Sequence, residues 1–311
     1  MSSAVALLTY QRLEVLIKTL DTLVEHTQPS VPIAIFDDGS RRDNTVEWLR
    51  AQSTQPVLEC SLKNLLDKIE CEGFTTYYKD RPIEVYAAKH NLGVAANSNR
   101  AIKWFGMMVG YDHLFLANDD LVFHGDAVSA YAKAHKDLEI GLLCLNNLKD
   151  DAHRWLTTNC RGYKLKIFRM MTGAVMSMTK SLIDDIGYFD VSFGRFGEEH
   201  CDFTNRARIK GFMQVLGKPQ ICIDIDFTPP VLDHQHDVES SVVGVEKETC
   251  DAAASKAMSD KQAEYRVGIF YNPFRLRHTP FVNRHAGFDS GIKAKNMLGV
   301  EEAPALIVPF E

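Results

Sequence analysis

Two short stretches end an apolar run on paired carboxylates: "VPIAIFDDGS", with Asp37 and Asp38, and "LFLANDDLVF", with Asp119 and Asp120. Adjacent acids repel, and no basic residue directly follows Asp120. A divalent cation held between them would remove that penalty, and hard oxygen ligands suit Mg2+ or Mn2+. An acidic loop with no ligand is the plainer reading of the same residues. "PPVLDHQHDVESS" places His234 and His236 two apart, which puts both on one face of an extended segment, with Asp233 and Asp237 beside them. In "FGEEHCDFTNRARIKGF", Glu198, Glu199 and His200 are groups able to accept a proton. Acids at a helix start are also favoured by the macrodipole alone.

The elements that must position these groups follow from periodicity. "VALLTY" reads as a buried strand, and Leu13, Leu16, Ile17, Leu20 and Leu23 then recur at helical spacing. "VPIAIF" is a second buried strand with a Gly39–Ser40 turn, and Asp43 or Asn44 caps a following helix. Continuous apolar strands alternating with helices predict a mostly parallel α/β sheet covered on both faces. Ligands bind at the carboxyl edge of such sheets, where Thr9, Tyr10, Arg12, Asp37 and Asp38 fall. Residues 53–82 have weak periodicity and read as an insertion holding a possible helix. "IEVYAAKHNLGVAANSNRAIKWF" restores the pattern: strand, glycine loop, and a helix starting near Val94 whose first turn could hold a phosphate.

Taken in order, "LLTYQR", "IFDDGS", "HNLGVAANSNRAI" and "LFLANDDLVF" resemble the inverting family 2 glycosyltransferases of the GT-A fold, a Rossmann-like mixed sheet. "MMTGAVMSMTKSLIDDIGYFD" is similar to that family's acceptor-side segment, and "FGEEHCDFTNRARIKGF" to its helix with the catalytic carboxylate. The resemblance covers about residues 4–236. It implies a nucleotide-sugar donor, with UDP favoured, contacted by Thr9, Tyr10, Arg12, Asp37, Asp38, Asn91, Gly93, Asn97, Asn118 and Asp119. It implies Mn2+ or Mg2+ on Asp120, completed by His234 or His236. The expected Glu-Asp pair is altered, with Glu199 at the Glu position and His200 where Asp is expected. Glu199 is therefore the favoured base, followed by His200 and Glu198, and inversion is the expected stereochemistry.

The 311 residues, 45% hydrophobic and 24% charged, suit a soluble globular chain with a GT-A domain over 1–240 and a C-terminal extension over 241–311 packed on it. The net charge of -6 argues against a surface that grips nucleic acid throughout. No apolar run is long enough to span a bilayer, and "MSSAVALLTY" lacks the features of a leader. Seven cysteines without CxxC spacing point to reduced thiols and a cytoplasmic setting. The acceptor is expected to be a glycan, a small molecule or a hydroxylated base in DNA, the last through the basic, aromatic segment 271–288. A nucleotidyltransferase and a non-catalytic nucleotide-sugar-binding protein are the competing readings.

Overall fold

In the computed structural model, residues 1–52, 71–146, 154–169, 171–235, 252–256 and 258–259 are described. The expected helix within 53–70, His236, Asp237 and the basic segment 271–288 lie outside them. A seven-stranded sheet is the centre of the molecule. Its order is β3 (Cys71–Tyr78), β4 (Arg81–Ala88), β2 (Ile33–Asp37), β1 (Ser3–Thr9), β5 (His113–Asn118), β10 (Val175–Thr179) and β7 (Leu142–Leu145). The four strands β4, β2, β1 and β5 run parallel, whereas β3 and β10 are antiparallel to their neighbours. Every residue of β1, β2 and β10 is buried, as strands covered on both faces require.

The alternation of side chains decides which helix covers which face. Phe36 and its register partner Leu8 point to one face, where Phe36 meets Trp104 of α3 (Val94–Met107). Phe115, one residue out of phase with Leu116 and Asn118, meets Tyr131 of α4 (Ala127–Leu138) on the other. That second face also carries α1 (Leu13–His26) and α2 (Thr45–Ala51), since Tyr78 of β3 packs on Trp48 and donates to Asp21. A smaller sheet joins β8 (Arg154–Cys160), β9 (Tyr163–Phe168) and β13 (Cys222–Ile225). Beside it, α5 (Lys180–Ile186) and α6 (Glu199–Ile209) pack on each other. Farther along the chain, Ala254 and Met258 are buried against Phe193.

The segment 71–82 is not an insertion: β3 and β4 form a hairpin that supplies the sheet edge. Its turn, Lys79–Asp80, takes positive φ at both residues without glycine or asparagine, so the usual hairpin signal is missing from the sequence. The cap of α2 is also divided, since Asn44 sits in the left-handed region without a side-chain bond while Asp43 receives the Thr45 hydroxyl (2.8 Å) and the Leu13 N–H (2.8 Å).

Two histidines buried under the sheet form one directed chain of hydrogen bonds. His135 Nδ1 lies 2.6 Å from the Ile140 carbonyl, which can only accept, so His135 Nε2 accepts from the Ser177 hydroxyl (2.8 Å). The Ser177 oxygen then accepts from His113 Nε2–H (2.7 Å), and His113 Nδ1 accepts from Ser3 (2.9 Å). Both rings must be neutral. Burial pushes His113 well below its ordinary range and His135 down to about 4. Because the folded value of His135 lies below the unfolded one, its contribution is present above pH ~6.5 and lost as the pH falls toward 4. The native protein should therefore lose about 3 kcal/mol relative to His135→Gln between pH ~7 and ~4, in urea unfolding. Carboxylates titrate in both proteins, so the difference isolates the imidazole.

Candidate functional site

Three parallel strands finish level with one another, because Thr9 pairs with Asp37 across β1 and β2 while Leu8 pairs with Asn118 across β1 and β5. At the β2 end, Asp37 Oδ2 receives the N–H groups of Gly39 and Ser40 (3.0 Å each), which folds the turn. Its Oδ1 is buried and unpartnered. Burial pushes the Asp37 carboxyl up, against the pull of the Ser40 and Gly39 donors. Asp38 faces the other way and receives Leu92 N–H (2.8 Å) and Gly93 N–H (3.0 Å). Burial raises Asp38 to about 7 although those two donors and Arg100 oppose it. Asp38 is thus the clamp of the 90–93 loop, and of the two acids only Asp37 keeps an oxygen for a ligand.

Several N–H groups of the glycine loop and the first turn of α3 are used within the protein. Gly93 N–H goes to Asp38, Val94 N–H to the Arg195 carbonyl (2.6 Å), and Asn91 Oδ1 also receives Gly93 N–H (3.0 Å). Asn97 is consumed inside the fold, donating to the Phe36 carbonyl (2.9 Å) and accepting from Arg100 (2.7 Å). A side chain on Gly93, at φ +90, would meet the Arg195 backbone at 2.6 Å, so glycine is needed for that close approach. Asn91, Gly93 and Asn97 shape the site without facing a ligand through these groups. Tyr10 is half-buried just beyond β1.

At the β5 end the two acids differ. Asp119 is fully buried and both its oxygens are engaged, one by the Thr9 hydroxyl (2.6 Å) and one by Arg12. Both oxygens of this expected donor contact are thus engaged within the protein. Asp120 Oδ2 accepts from Arg12 (2.9 Å) and lies 3.4 Å from His234 Nε2, while its Oδ1 is buried without a partner. Burial holds Asp119 up at about 6 despite Arg12. Burial also acts to raise Asp120, but His234 and Arg12 together bring it below the ordinary range. Asn118 stands half-buried beside the pair.

His234 arrives by strand pairing. The short strands β6 (Leu121–Phe123) and β14 (Leu232–His234) are antiparallel, with His234 opposite Leu121, and Gln235 N–H donates to the Asp120 carbonyl (2.8 Å). Asp233 points to the opposite side and pairs with His124 (2.9 Å), so it does not support His234. Thr19, a polar break in the apolar stripe of α1, pins the acidic turn: its buried hydroxyl accepts Leu121 N–H (3.0 Å) and donates to the Asp119 carbonyl (2.5 Å). Among the described residues no three-ligand cluster of His, Cys, Asp and Glu is formed. An unpartnered carboxylate oxygen next to an imidazole nevertheless suits a hard divalent cation, and Asp120 with His234 would hold it.

The third group lies at the head of α6. Glu198 takes a left-handed conformation there, and burial together with its carboxylate pushes the Cys201 thiol up to about 12. Glu199 is 2% exposed and its Oε1 lies 2.6 Å from His200 Nδ1; its Oε2 is buried without a partner. Burial favours the neutral acid, but His200 outweighs it and Glu199 stays below the ordinary carboxylate range. The His200 ring rests edge-to-face on Phe189 (5.7 Å between centroids) and against Gly173, where an added Cβ would come within 2.3 Å of Nε2. The next residue, Ala174, accepts the Asn118 N–H (2.9 Å), which ties this corner to the acidic turn. Asp202 and Arg206 are internal: Arg206 donates to Asp202 (3.0 Å), to the Ile186 carbonyl (2.7 Å) and to the Tyr188 carbonyl (2.8 Å).

A mainly parallel sheet with a reversed strand beside β5 and acids at the ends of β2 and β5 is the arrangement of a GT-A type of domain. The model of the family described as "Glycosyl transferase family 2" matches residues 4–189, more than half the chain, and the chain belongs to that family. No curated protein sequence matches it. Among solved structures, GalNAc-T7 with UDP, GalNAc and Mn2+ superposes with a TM-score of 0.52 at 11% identity, over 86% of this chain and 49% of that one. The mannosyltransferase PcManGT from Pyrobaculum calidifontis, solved with GDP-Man and Mn2+, gives 0.46 at 13% identity over 72% and 56%. TarS of S. aureus gives 0.46 at 14% over 74% and 37%. This chain spans about half the length of these structures or less.

Arg12 is the counter-charge of the acidic turn. Arg12→Met should cost about 3 kcal/mol without divalent ions, the low end for breaking a buried pair because Arg12 is partly exposed. Mn2+ should then raise the melting temperature of the variant more than that of the native protein, because the cation no longer competes with a guanidinium.

Proposed function

We propose that this chain transfers a sugar from a nucleoside diphosphate sugar to an acceptor hydroxyl, dependent on Mn2+ or Mg2+ and with inversion at the anomeric carbon. What carries the reading is the pairing of two buried, unpartnered carboxylate oxygens, Asp37 Oδ1 and Asp120 Oδ1, on strand ends two places apart in the sheet. Two strand spacings are about 10 Å. We assign Asp37 Oδ1 to an N–H of the base, with UDP favoured, and Asn118 to a ribose hydroxyl. Asp120 and His234, with His236 beyond the described residues, would hold the metal. When bound, the metal neutralises the charge that develops on the departing diphosphate. With a cation on Asp120, Arg12 would be free to turn toward the diphosphate. Thr9 and Asp119 hold Arg12 at the site, and Asp38, Asn91, Gly93 and Asn97 keep the loop beside it in place. The base comes from the head of α6.

For the acceptor we propose a glycan or a small molecule, with a hydroxylated DNA base as the lesser choice. No helix among the described residues is long and apolar enough to cross a membrane, and the five described cysteines are free. The thiols support our placing of the chain in the cytoplasm.

The test is release of nucleoside diphosphate from UDP-sugars and GDP-mannose with Mn2+, without acceptor. Slow release that stops in chelator and in Asp120→Ala is expected; release of pyrophosphate, or tight binding without any turnover, would replace this reading with nucleotidyl transfer or simple binding. Asp37→Ala should weaken UDP binding by about 1–3 kcal/mol in calorimetry, the cost of an unmade hydrogen bond in a buried site. Asp38→Asn should act mainly on melting temperature, because its oxygens serve the loop.

A further inference from the structure

Resting on the glycosyl-transfer reading, we infer that the acceptor's proton is taken by Nε2 of His200, with Glu199 as the positioning carboxylate behind it. A base must touch the acceptor oxygen. Glu199 cannot do so as it stands, since the residue is 2% exposed, one oxygen is held by His200 Nδ1 and the other is buried. The imidazole side chain is 17% exposed, and its Nε2 has no hydrogen-bond partner among the described residues. With Nδ1–H donated to Glu199, the lone pair of the neutral ring is on Nε2.

The surroundings fix that ring. Phe189 packs on it edge-to-face, and the missing side chain of Gly173 leaves room for the ring edge, since a methyl there would come within 2.3 Å of Nε2. Through Ala174 and Asn118 the same corner abuts the turn of Asp119 and Asp120, where the donor's diphosphate belongs. The step balances within the site. The acceptor O–H bond breaks and its proton passes to Nε2, the oxygen bonds to the anomeric carbon, and the C–O bond to the diphosphate leaves with its electrons. Glu199 then faces an imidazolium and stabilises it.

Because the acceptor is unidentified, the reaction followed is donor hydrolysis, with water as acceptor, using UDP-sugars or GDP-mannose and Mn2+. His200→Gln should lower the rate by about 10²–10⁴-fold with UDP affinity unchanged, and added imidazole should restore part of the rate to His200→Ala. Glu199→Gln should slow turnover with no rescue by imidazole, because the His200 ring is still in place. Gly173→Ala should reproduce the His200 loss without a change in UDP affinity. Near-native hydrolysis by His200→Gln alongside inactive Glu199→Gln would overturn the inference in favour of Glu199 itself. Independently of turnover, nitrogen-15 NMR should find the Nδ1–H tautomer of His200, and an Nε2–H tautomer would overturn the dyad. A native protein that neither binds UDP nor hydrolyses a donor sinks the glycosyl-transfer reading, which separates the two failures.

Discussion

Two neighbouring carboxylates at the end of a buried strand need positive charge nearby, and much of this molecule is arranged around that need. Uncompensated, a buried charge costs several kcal/mol, and two together cost more. Arg12 spans both acids, the Thr9 hydroxyl takes the inner one, and His234 comes within 3.4 Å of the outer one. Thr19 fixes the backbone of the same turn from α1. The division of labour follows from exposure. Asp119, fully buried and fully bonded, serves as the anchor, while Asp120 keeps an oxygen for a ligand.

A second set of contacts joins the carboxyl edge of the sheet to the start of α6. Asp38 fastens the 90–93 loop, and that loop meets Arg195 through Val94 N–H and the bare face of Gly93. Asn99 of α3 and Phe189 exchange two hydrogen bonds, 2.9 and 2.7 Å, so the segment leading to α6 is bound to that helix. Arg206 then bonds the last carbonyls of α5 and the turn after it. These links set where α6 begins, and with it the position of Glu199 and His200. Geometry of this kind needs rigid support, because a proton acceptor displaced by about 1 Å loses much of its effect.

The presence of polar residues around a site is a poor guide to which of them meet a ligand. Asn97, Asp38 and Asp119 all have their polar atoms committed to the protein. Asp37 and Asp120 retain an oxygen without a protein partner, and His200 Nε2 has no partner among the described residues. Satisfaction of hydrogen bonds, rather than residue type, separates the scaffold from the groups left for chemistry.

The sequence by itself determined the parallel α/β core, because fully buried strands must be apolar throughout and helices must repeat at 3.6 residues; β1, α1, β2, α3 and β5 were all legible that way. It also placed the acids at the carboxyl edge, since each follows its strand directly. It did not reveal the β3–β4 hairpin, whose turn residues carry no positive-φ signature, or the small β8–β9–β13 sheet with its exposed edge strand. Nor could it tell Asp37 from Asp38, or Asp119 from Asp120. Neighbours in sequence point to different surroundings, and the side-chain hydrogen-bond partners of Asp38, Asp119 and Asp120 come from residues 54 to 110 positions away. Thr19 and Gly173 acquire their roles only when α1 and the 171–174 segment are brought against the turn and the ring they fit. The pairing of Glu199 with His200 is local in the chain, but what buries one and leaves the other open is packing, and packing is decided by the tertiary structure alone.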